Sequence, residues 1–244
     1  YKFERIRKND LTEMELQDLL SLRQRVEKIA IKDVKMRTFI TQDSQRNELV
    51  GHVYDITYGS IIPGEDTIVV IDDSIVRGTT LKKSIIRMLD RLGPKKIVIV
   101  SSAPQIRYPD CYGIDMSKMK DFIAFRALVS LLKKQGRDNL LDEVYEKCKW
   151  QMQQPQQEMV NEVKSLYDLY TDEEIVDEVS LLVKDDSVKA EVQIIFQTID
   201  DLHKACPEHL GDWYFSGNYP TSGGNKVVNR AFINYMEGKD VRAY

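Results

Sequence analysis

The sequence has few residues of the kinds that cross-link a chain or anchor it in a membrane. It contains three cysteines in 244 residues, and Cys111, Cys148 and Cys206 stand far apart with no CxxC spacing. This argues against a disulfide framework and predicts free thiols in a reducing compartment, with the cytoplasm as the default. No apolar run approaches the roughly 20 residues that span a bilayer, so no membrane association is expected.

Neither sign of charge dominates the chain. Lys and Arg number 35 against 39 Asp and Glu, which gives a net charge of −4 and a pI near 5.6. This balance offers no general attraction to nucleic acid, and we expect no nucleic-acid partner. The length and a hydrophobic content of 42% allow a buried core in one or two domains.

Two common nucleotide-binding motifs are also missing. The stretch 67 to 80, TIVVIDDSIVRGTT, matches neither GxxxxGK[ST] nor GxGxxG. Its β-branched run predicts a strand buried on both faces, at the centre of a parallel sheet. Asp72 and Asp73 follow at the carboxyl end, where open α/β sheets have their ligand crevice. These carboxylates are therefore expected to face a ligand.

A helix is predicted to begin directly after the turn at Gly78. Thr79 and Thr80 precede an amphipathic run that ends at Gly93-Pro94, the usual order of residues at a helix end. The free N–H groups and positive dipole of a helix N-terminus attract anions, and the two threonine hydroxyls add donors. The pattern predicts a phosphate site.

The whole string resembles a family signature. A hydrophobic strand, Asp-Asp, three residues and then Arg77-Gly78-Thr79-Thr80 is similar to the PRPP (5-phosphoribosyl-1-pyrophosphate) motif of the type I phosphoribosyltransferases. DDSIVRGTT resembles the glutamine PRPP amidotransferases in particular. Further similar blocks are RTFI at 37–40, IRYP and YGIDM between 106 and 116, and the Gly-x-Tyr-Pro-Thr that ends at Thr221. The resemblance runs, with gaps, over 34–116 and 191–221.

The resemblance implies an α/β fold, in which a type I phosphoribosyltransferase-like parallel sheet is flanked by helices. We expect a helical segment over 1–30 and a phosphoribosyltransferase core over 31–136 that lacks its N-terminal part. A helical insertion over 137–190 and a C-terminal strand and helix extension over 191–244, packed on the core, would follow. The insertion is either a packing or oligomer surface or a solvated helical hairpin.

The activity that the resemblance implies is transfer of an amino group to C1 of PRPP, with loss of pyrophosphate. Asp72 and Asp73 would hold the ribose hydroxyls and, directly or through water, Mg²⁺. A basic loop within residues 31–41 would close over the pyrophosphate. The alternative for this segment is a plain loop at the entry to a strand, with solvated lysines. The residues implied for the site are Asp72, Asp73 and Arg37 as the catalytic set, with Ser74, Arg77, Gly78, Thr79, Thr80, Lys32 and Lys35 binding PRPP.

The resemblance also implies partners. These are PRPP with Mg²⁺, glutamine-derived ammonia, purine nucleotides as feedback inhibitors, and further copies of the chain in a homo-oligomer. Cluster-containing relatives have cysteines where this chain has Gly211 and Tyr214, and one place before Cys111, so we expect no iron–sulfur cluster. None of the three cysteines is terminal, so this chain is expected to lack the glutaminase domain and to be a C-terminal portion of a larger enzyme.

Other readings of the same residues remain open. A nucleobase salvage phosphoribosyltransferase and a non-catalytic PRPP-sensing regulator would share the Asp-Asp and Gly-Thr-Thr chemistry. Arg107, Tyr108 and Asp115 could serve the site or merely fix their loop. His52 has no nucleophile beside it in the sequence and is expected to be structural.

Overall fold

The computed structural model describes residues 12–21, 25–27, 29–32, 54–112, 116–209 and 211–243. The helices are α1 (Glu13–Ser21), α2 (Ile86–Asp90), α3 (Ile123–Lys134), α4 (Asn139–Gln151), α5 (Lys164–Tyr167), α6 (Asp172–Val183), α7 (Ile199–Ala205), α8 (Trp213–Ser216) and α9 (Ser222–Met236). The strands are β1 (Ala30–Lys32), β2 (Tyr54–Ile56), β3 (Thr67–Asp72), β4 (Lys96–Ser101) and β5 (Glu191–Phe196). Within these ranges, no helix has the length and apolar content needed to cross a lipid bilayer.

A parallel sheet of three strands, in the order β3-β4-β5, organises most of this structure. The strands pair in step, so that Asp72, Ser101 and Phe196 lie side by side at the carboxyl edge. Helices α3 and α6 pack against each other, and α6 also packs against β5. Strands β1 and β2 form a separate antiparallel pair. The open, helix-flanked parallel sheet confirms the predicted α/β fold class.

Strand β3 lies at the edge of the described sheet, so the prediction of a central strand buried on both faces was wrong. Ile68 is only 5% exposed, but Val69 and Ile71, on the opposite face, are 60% and 76% exposed. The central strand is β4, in which Ile97 and Ile99 are fully buried. β-Branched residues favour an extended backbone, but strand order depends on β5, which comes much later in the sequence.

Two glycine turns join the amino ends of β3 and β4. The Gly64 N–H donates to the Gly93 carbonyl at 2.7 Å, and the Lys95 N–H donates to the Asp66 carbonyl at 2.9 Å. Gly93 has a φ of +73°, the left-handed conformation in which glycine often ends a helix. Because these turns occupy the amino edge of the sheet, the polar residues that follow β3 lie at the opposite edge.

The helices between residues 137 and 190 contribute to the core and are not a solvated hairpin. A capping box formed by Thr171 and Glu174 begins α6. Ile175 and Val179 of α6 are fully buried against the neighbouring elements. Helix α4 packs on α9, where the Cys148 thiol lies 3.5 Å from the Asn229 side-chain oxygen. The domain boundaries themselves stay a prediction.

Candidate functional site

The two carboxylates lie at the carboxyl end of β3. Asp72 is the last residue of the strand and Asp73 follows it. The Asp73 N–H donates to Asp72 Oδ1 at 3.1 Å, and the Ser74 N–H donates to Asp73 Oδ1 at 2.7 Å. A carboxylate can accept about four hydrogen bonds, so both groups keep capacity for a sugar hydroxyl or a cation. The main-chain bonds orient the two side chains before any ligand binds.

Ser102 fixes the main chain of this pair and was not identified from the sequence. Its N–H donates to the Asp72 carbonyl at 3.0 Å. Its hydroxyl lies 3.2 Å and 3.1 Å from the carbonyl oxygens of Asp72 and Asp73. Its position directly after β4 could have identified it, because neighbouring parallel strands end at the same edge of the sheet and their following residues lie close together. Ser102 thus holds the two aspartates on the sheet.

The electrostatics of the pair favour a bound cation. Burial raises the pKa of Asp72 above its ordinary range, and the neighbouring charge of Asp73 adds to this rise, while the Asp73 N–H opposes it. Two adjacent carboxylates repel each other when both are ionised. Two carboxylates completed by ligand oxygens are a common way for proteins to hold Mg²⁺. Asp72 and Asp73 therefore fit a Mg²⁺ ion that arrives with its ligand.

The turn after the aspartates, residues 74–80, is termed the phosphate loop below. Ile75 is buried and anchors it, while Arg77, Thr79 and Thr80 are exposed. Gly78 has a φ of +66°, and a β-carbon at this position would lie 2.4 Å from Ile123 Cδ1. Only glycine combines this backbone angle with so close an approach.

A helix begins at the end of the phosphate loop, as predicted. The Lys82 N–H donates to the Gly78 carbonyl at 3.0 Å, and a π-helical turn, Leu81–Ile85, leads into α2. The first N–H groups of a helix have no partner within it and carry a partial positive charge. Thr79 and Thr80 stand at this end with exposed side chains. The arrangement can receive an anion such as a phosphate.

Residues just before and within α3 support the phosphate loop from behind. The Ile123 N–H donates to the Val76 carbonyl at 2.7 Å. Arg77 Nη2 lies 3.3 Å from Asp121 Oδ2, and the Arg126 guanidinium donates to the Arg77 carbonyl. Neither Asp121 nor Arg126 was identified from the sequence, because both lie more than 40 residues from the loop along the chain.

The block around Arg107 fixes a loop and lies apart from the phosphate loop. Arg107 Nη2 lies 3.0 Å from Gln105 Oε1 and 2.5 Å from Asp172 Oδ1, and its guanidinium stacks 5.2 Å from the Tyr167 ring centre. Tyr108 is buried against Tyr167. Of the two alternatives for Arg107 and Tyr108, the structure supports the loop-fixing role; Asp115 lies outside the described residues.

The positions at which relatives have cluster cysteines make other contacts here. The Tyr214 hydroxyl donates to Asp110 Oδ1 at 2.8 Å, and a β-carbon on Gly211 would lie 2.7 Å from the Trp213 ring. Among the described residues, no group of three or more His, Cys, Asp or Glu side chains could hold a metal ion. That the chain binds no iron–sulfur cluster stays a prediction.

Two predicted site residues, Lys35 and Arg37, lie outside the described residues, as does His52, which was predicted to be structural. Lys32 ends strand β1, but its side chain is not among those described. The structure therefore brings together Asp72, Asp73 and the phosphate loop, which form one continuous segment of sequence.

Comparison with known proteins points to one enzyme name. No family model matches the chain. A stretch of 78 residues, 32% of this chain, is 44% identical to an amidophosphoribosyltransferase of Pasteurella multocida and covers 15% of that protein. The chain is also 47% identical over 60 residues (25% of this chain) to the enzyme of Escherichia coli, and 47% identical over 58 residues (24%) to that of Saccharomyces cerevisiae, covering 12% and 11% of those proteins.

The matching stretches thus span less than a fifth of each of these relatives. All three relatives have the same name, amidophosphoribosyltransferase. Residues 72–80 resemble the signature of the same family. The fold is the open α/β sheet that the type I phosphoribosyltransferase resemblance implies. Over about a quarter to a third of its length, this chain is similar to part of the amidophosphoribosyltransferases.

Proposed function

We propose that the chain carries the PRPP-binding part of an amidophosphoribosyltransferase. The reaction would transfer the amino group of ammonia to C1 of PRPP and release pyrophosphate, giving 5-phosphoribosylamine for purine synthesis. One observation carries this proposal. Two carboxylates at the end of a parallel strand lead directly into a glycine turn and a helix N-terminus, within a sequence similar to enzymes of that name.

The phosphate loop would bind the 5-phosphate of PRPP. Main-chain N–H groups at a helix N-terminus bind phosphate through hydrogen bonds and the helix dipole together. The hydroxyls of Thr79 and Thr80 and the side chain of Ser74 would add donors. Arg77, now paired with Asp121, lies in the same loop and would supply positive charge.

The aspartates would bind the ribose. A 5-phosphate in the phosphate loop would direct the sugar toward the adjacent carboxyl edge of β3, where its hydroxyls could donate to Asp72 and Asp73. Mg²⁺ bound there would neutralise charge on the pyrophosphate group as it departs. The pair supplies hard oxygen ligands, which suit this ion.

The proposed chemistry requires no protein nucleophile. The lone pair of ammonia forms a bond to C1, the bond from C1 to the pyrophosphate oxygen breaks, and its electron pair leaves with pyrophosphate. The nitrogen then loses one proton. Residues 72–80 would hold C1 in position for this step, while Lys32, Lys35 and Arg37 are proposed to stabilise the departing charge.

Ammonia, and not glutamine, is the proposed nitrogen donor in the reaction that this chain carries out. Release of ammonia from glutamine in the resembling family needs a cysteine nucleophile, and such cysteines react as thiolates. Burial raises the pKa of both Cys111 and Cys148, which keeps these thiols protonated at neutral pH. Cys206 is exposed and lies outside the core. We expect no glutaminase activity from this chain.

The direct test is formation of 5-phosphoribosylamine from PRPP, Mg²⁺ and ammonia by the intact protein. We expect Asp73→Asn to reduce turnover by about a hundredfold, because one charge that positions the ribose and metal is lost. Asp186→Asn is the matched control, since Asp186 is also an exposed aspartate that directly follows a partly buried one, Asp185. Equal rates for wild type and Asp73→Asn would refute the assignment of Asp73 to the PRPP site.

The same assay separates the alternative functions. Consumption of PRPP that requires a nucleobase in place of ammonia would favour a salvage phosphoribosyltransferase. Tight PRPP binding with no turnover under either condition would favour a PRPP-sensing regulator. Both outcomes would leave residues 72–80 as the PRPP site but contradict the proposed reaction.

A further inference from the structure

The phosphate loop is held from one side by a short segment of the chain, residues 121–126. Asp121 pairs with the Arg77 side chain, the Ile123 N–H donates to the Val76 carbonyl, and Arg126 donates to the Arg77 carbonyl. Ile123 also contacts Gly78. Three of these contacts involve main-chain atoms or the glycine of the loop, so the segment determines the path of the loop backbone.

The contact from Arg126 acts on one particular peptide unit. The Arg77 carbonyl and the Gly78 N–H belong to the same planar unit, and in a trans peptide these two groups point in opposite directions. The described residues include no cis peptide. Because Arg126 draws the carbonyl toward α3, the Gly78 N–H must point away from α3.

Glycine alone would not hold this peptide in one orientation. Gly78 can adopt positive and negative φ values with similar ease, so rotation of the preceding peptide meets little steric resistance. A charge-assisted hydrogen bond is stronger than a neutral one and favours one orientation. Partial burial lowers the pKa of Arg126, which the charge of Asp121 opposes, and the guanidinium stays protonated at neutral pH.

We propose that Arg126 is a positioning residue of the phosphate loop, which holds the Arg77–Gly78 peptide so that the Gly78 N–H faces a bound phosphate. This inference rests on the proposed function, because it assumes that the loop binds the 5-phosphate of PRPP. Arg126 does not need to touch the ligand. Its effect passes through one carbonyl oxygen to the N–H of the same peptide.

Calorimetric titration with ribose 5-phosphate tests the proposal. We expect Arg126→Met to raise the Kd about tenfold, the loss typical of a hydrogen bond to a charged group. Arg126→Lys should recover part of the affinity, because an ammonium group can still donate to the carbonyl. Arg87→Met is the matched control, since Arg87 pairs with Asp185 and contacts no part of the loop in the described structure; its Kd should equal that of wild type.

Salt dependence separates positioning from simple charge attraction. If Arg126 orients the peptide, the Kd of Arg126→Met should stay about tenfold above that of wild type in about 0.5 M salt, which screens longer-range charge effects. A ratio that falls to one in high salt, or equal Kd values for Arg126→Met and wild type, would overturn the proposal. Thermal unfolding of each variant identifies any change that comes from loss of the fold.

The Gly78 amide resonance gives a second readout that needs no ligand. In the ligand-free protein, we expect Arg126→Met to shift or split this resonance, with Arg126→Lys closer to wild type. An unchanged resonance in Arg126→Met would overturn the positioning role. Failure of wild type to bind ribose 5-phosphate would contradict the proposed function, and the amide resonance would then decide the role of Arg126 separately.

Discussion

Ile123 and Gly78 lie so close together that a β-carbon on Gly78 would come within 2.4 Å of Ile123 Cδ1. The two residues belong to different elements, the start of α3 and the phosphate loop. The loop therefore depends on a packing contact as well as on its own backbone angles. Any side chain at position 78 would have to displace the side chains of Ile123 and Val183 or leave the observed conformation.

Gly78→Ala should destabilise the protein more than Gly136→Ala. Both glycines have φ near +65°, but a β-carbon on Gly136 would meet nothing within 4 Å. The left-handed conformation alone costs alanine about 1–2 kcal/mol, and the overpacking at Gly78 adds about 1–3 kcal/mol. Denaturant unfolding measures the difference. Equal losses for the two variants would show that the contact with Ile123 is relieved at little cost.

Asp72→Asn should raise the unfolding temperature at neutral pH. Burial raises the pKa of Asp72 above 3.8 in the folded chain, so the folded state binds this proton more tightly than the unfolded chain. The stability that this group contributes is complete below pH 3.8 and is lost as pH rises through the higher folded pKa. Asparagine avoids that loss and can still accept from the Asp73 N–H.

The check is thermal unfolding of wild type and Asp72→Asn over a range of pH. The advantage of Asp72→Asn should be absent below pH 3.8, grow as the pH rises and then remain constant. Asp186→Asn, at an exposed position, is the control for the chemical change from aspartate to asparagine. A difference that is the same at every pH would mean that titration of Asp72 is not its source.

Glu178→Gln should loosen the contact between α3 and α6. The Glu178 side chain is 4% exposed and accepts from Ser130 Oγ at 2.6 Å and Lys134 Nζ at 2.5 Å. Loss of its charge weakens both bonds, and we expect a decrease of about 1–3 kcal/mol in the free energy of unfolding. Asp177→Asn, one residue earlier and exposed, is the control and should change stability little. A similar effect in both variants would exclude the buried contact as the cause.

The part of the site that was predicted from the sequence is local. Asp72, Asp73, Gly78, Thr79 and Thr80 lie within nine consecutive positions, 72–80, and a strand that runs into a glycine turn and a helix determines their arrangement. The helix that follows Gly78 was also predicted, and it is present. In each case, short-range periodicity and turn residues contain the required information.

The part that was missed depends on contacts between distant segments. Ser102 reaches the aspartates only because β4 pairs with β3. Arg126 reaches the Arg77 carbonyl only because the start of α3 packs behind the phosphate loop. The edge position of β3 in the described sheet likewise depends on β5, which pairs with the far side of β4. Side-chain type and spacing along the chain give no information on such packing.

Phosphorus NMR of PRPP bound to the protein tests the central claim most directly. The 5-phosphate and the pyrophosphate of PRPP have separate resonances, so each group reports its own contacts. With Mg²⁺ present, we expect wild type to shift and broaden the 5-phosphate resonance. The isosteric double substitution Thr79→Val and Thr80→Val should greatly weaken this effect, since two hydroxyl donors are lost. A 5-phosphate resonance that stays unchanged on addition of folded wild-type protein would contradict the assignment of residues 74–80 as the phosphate site.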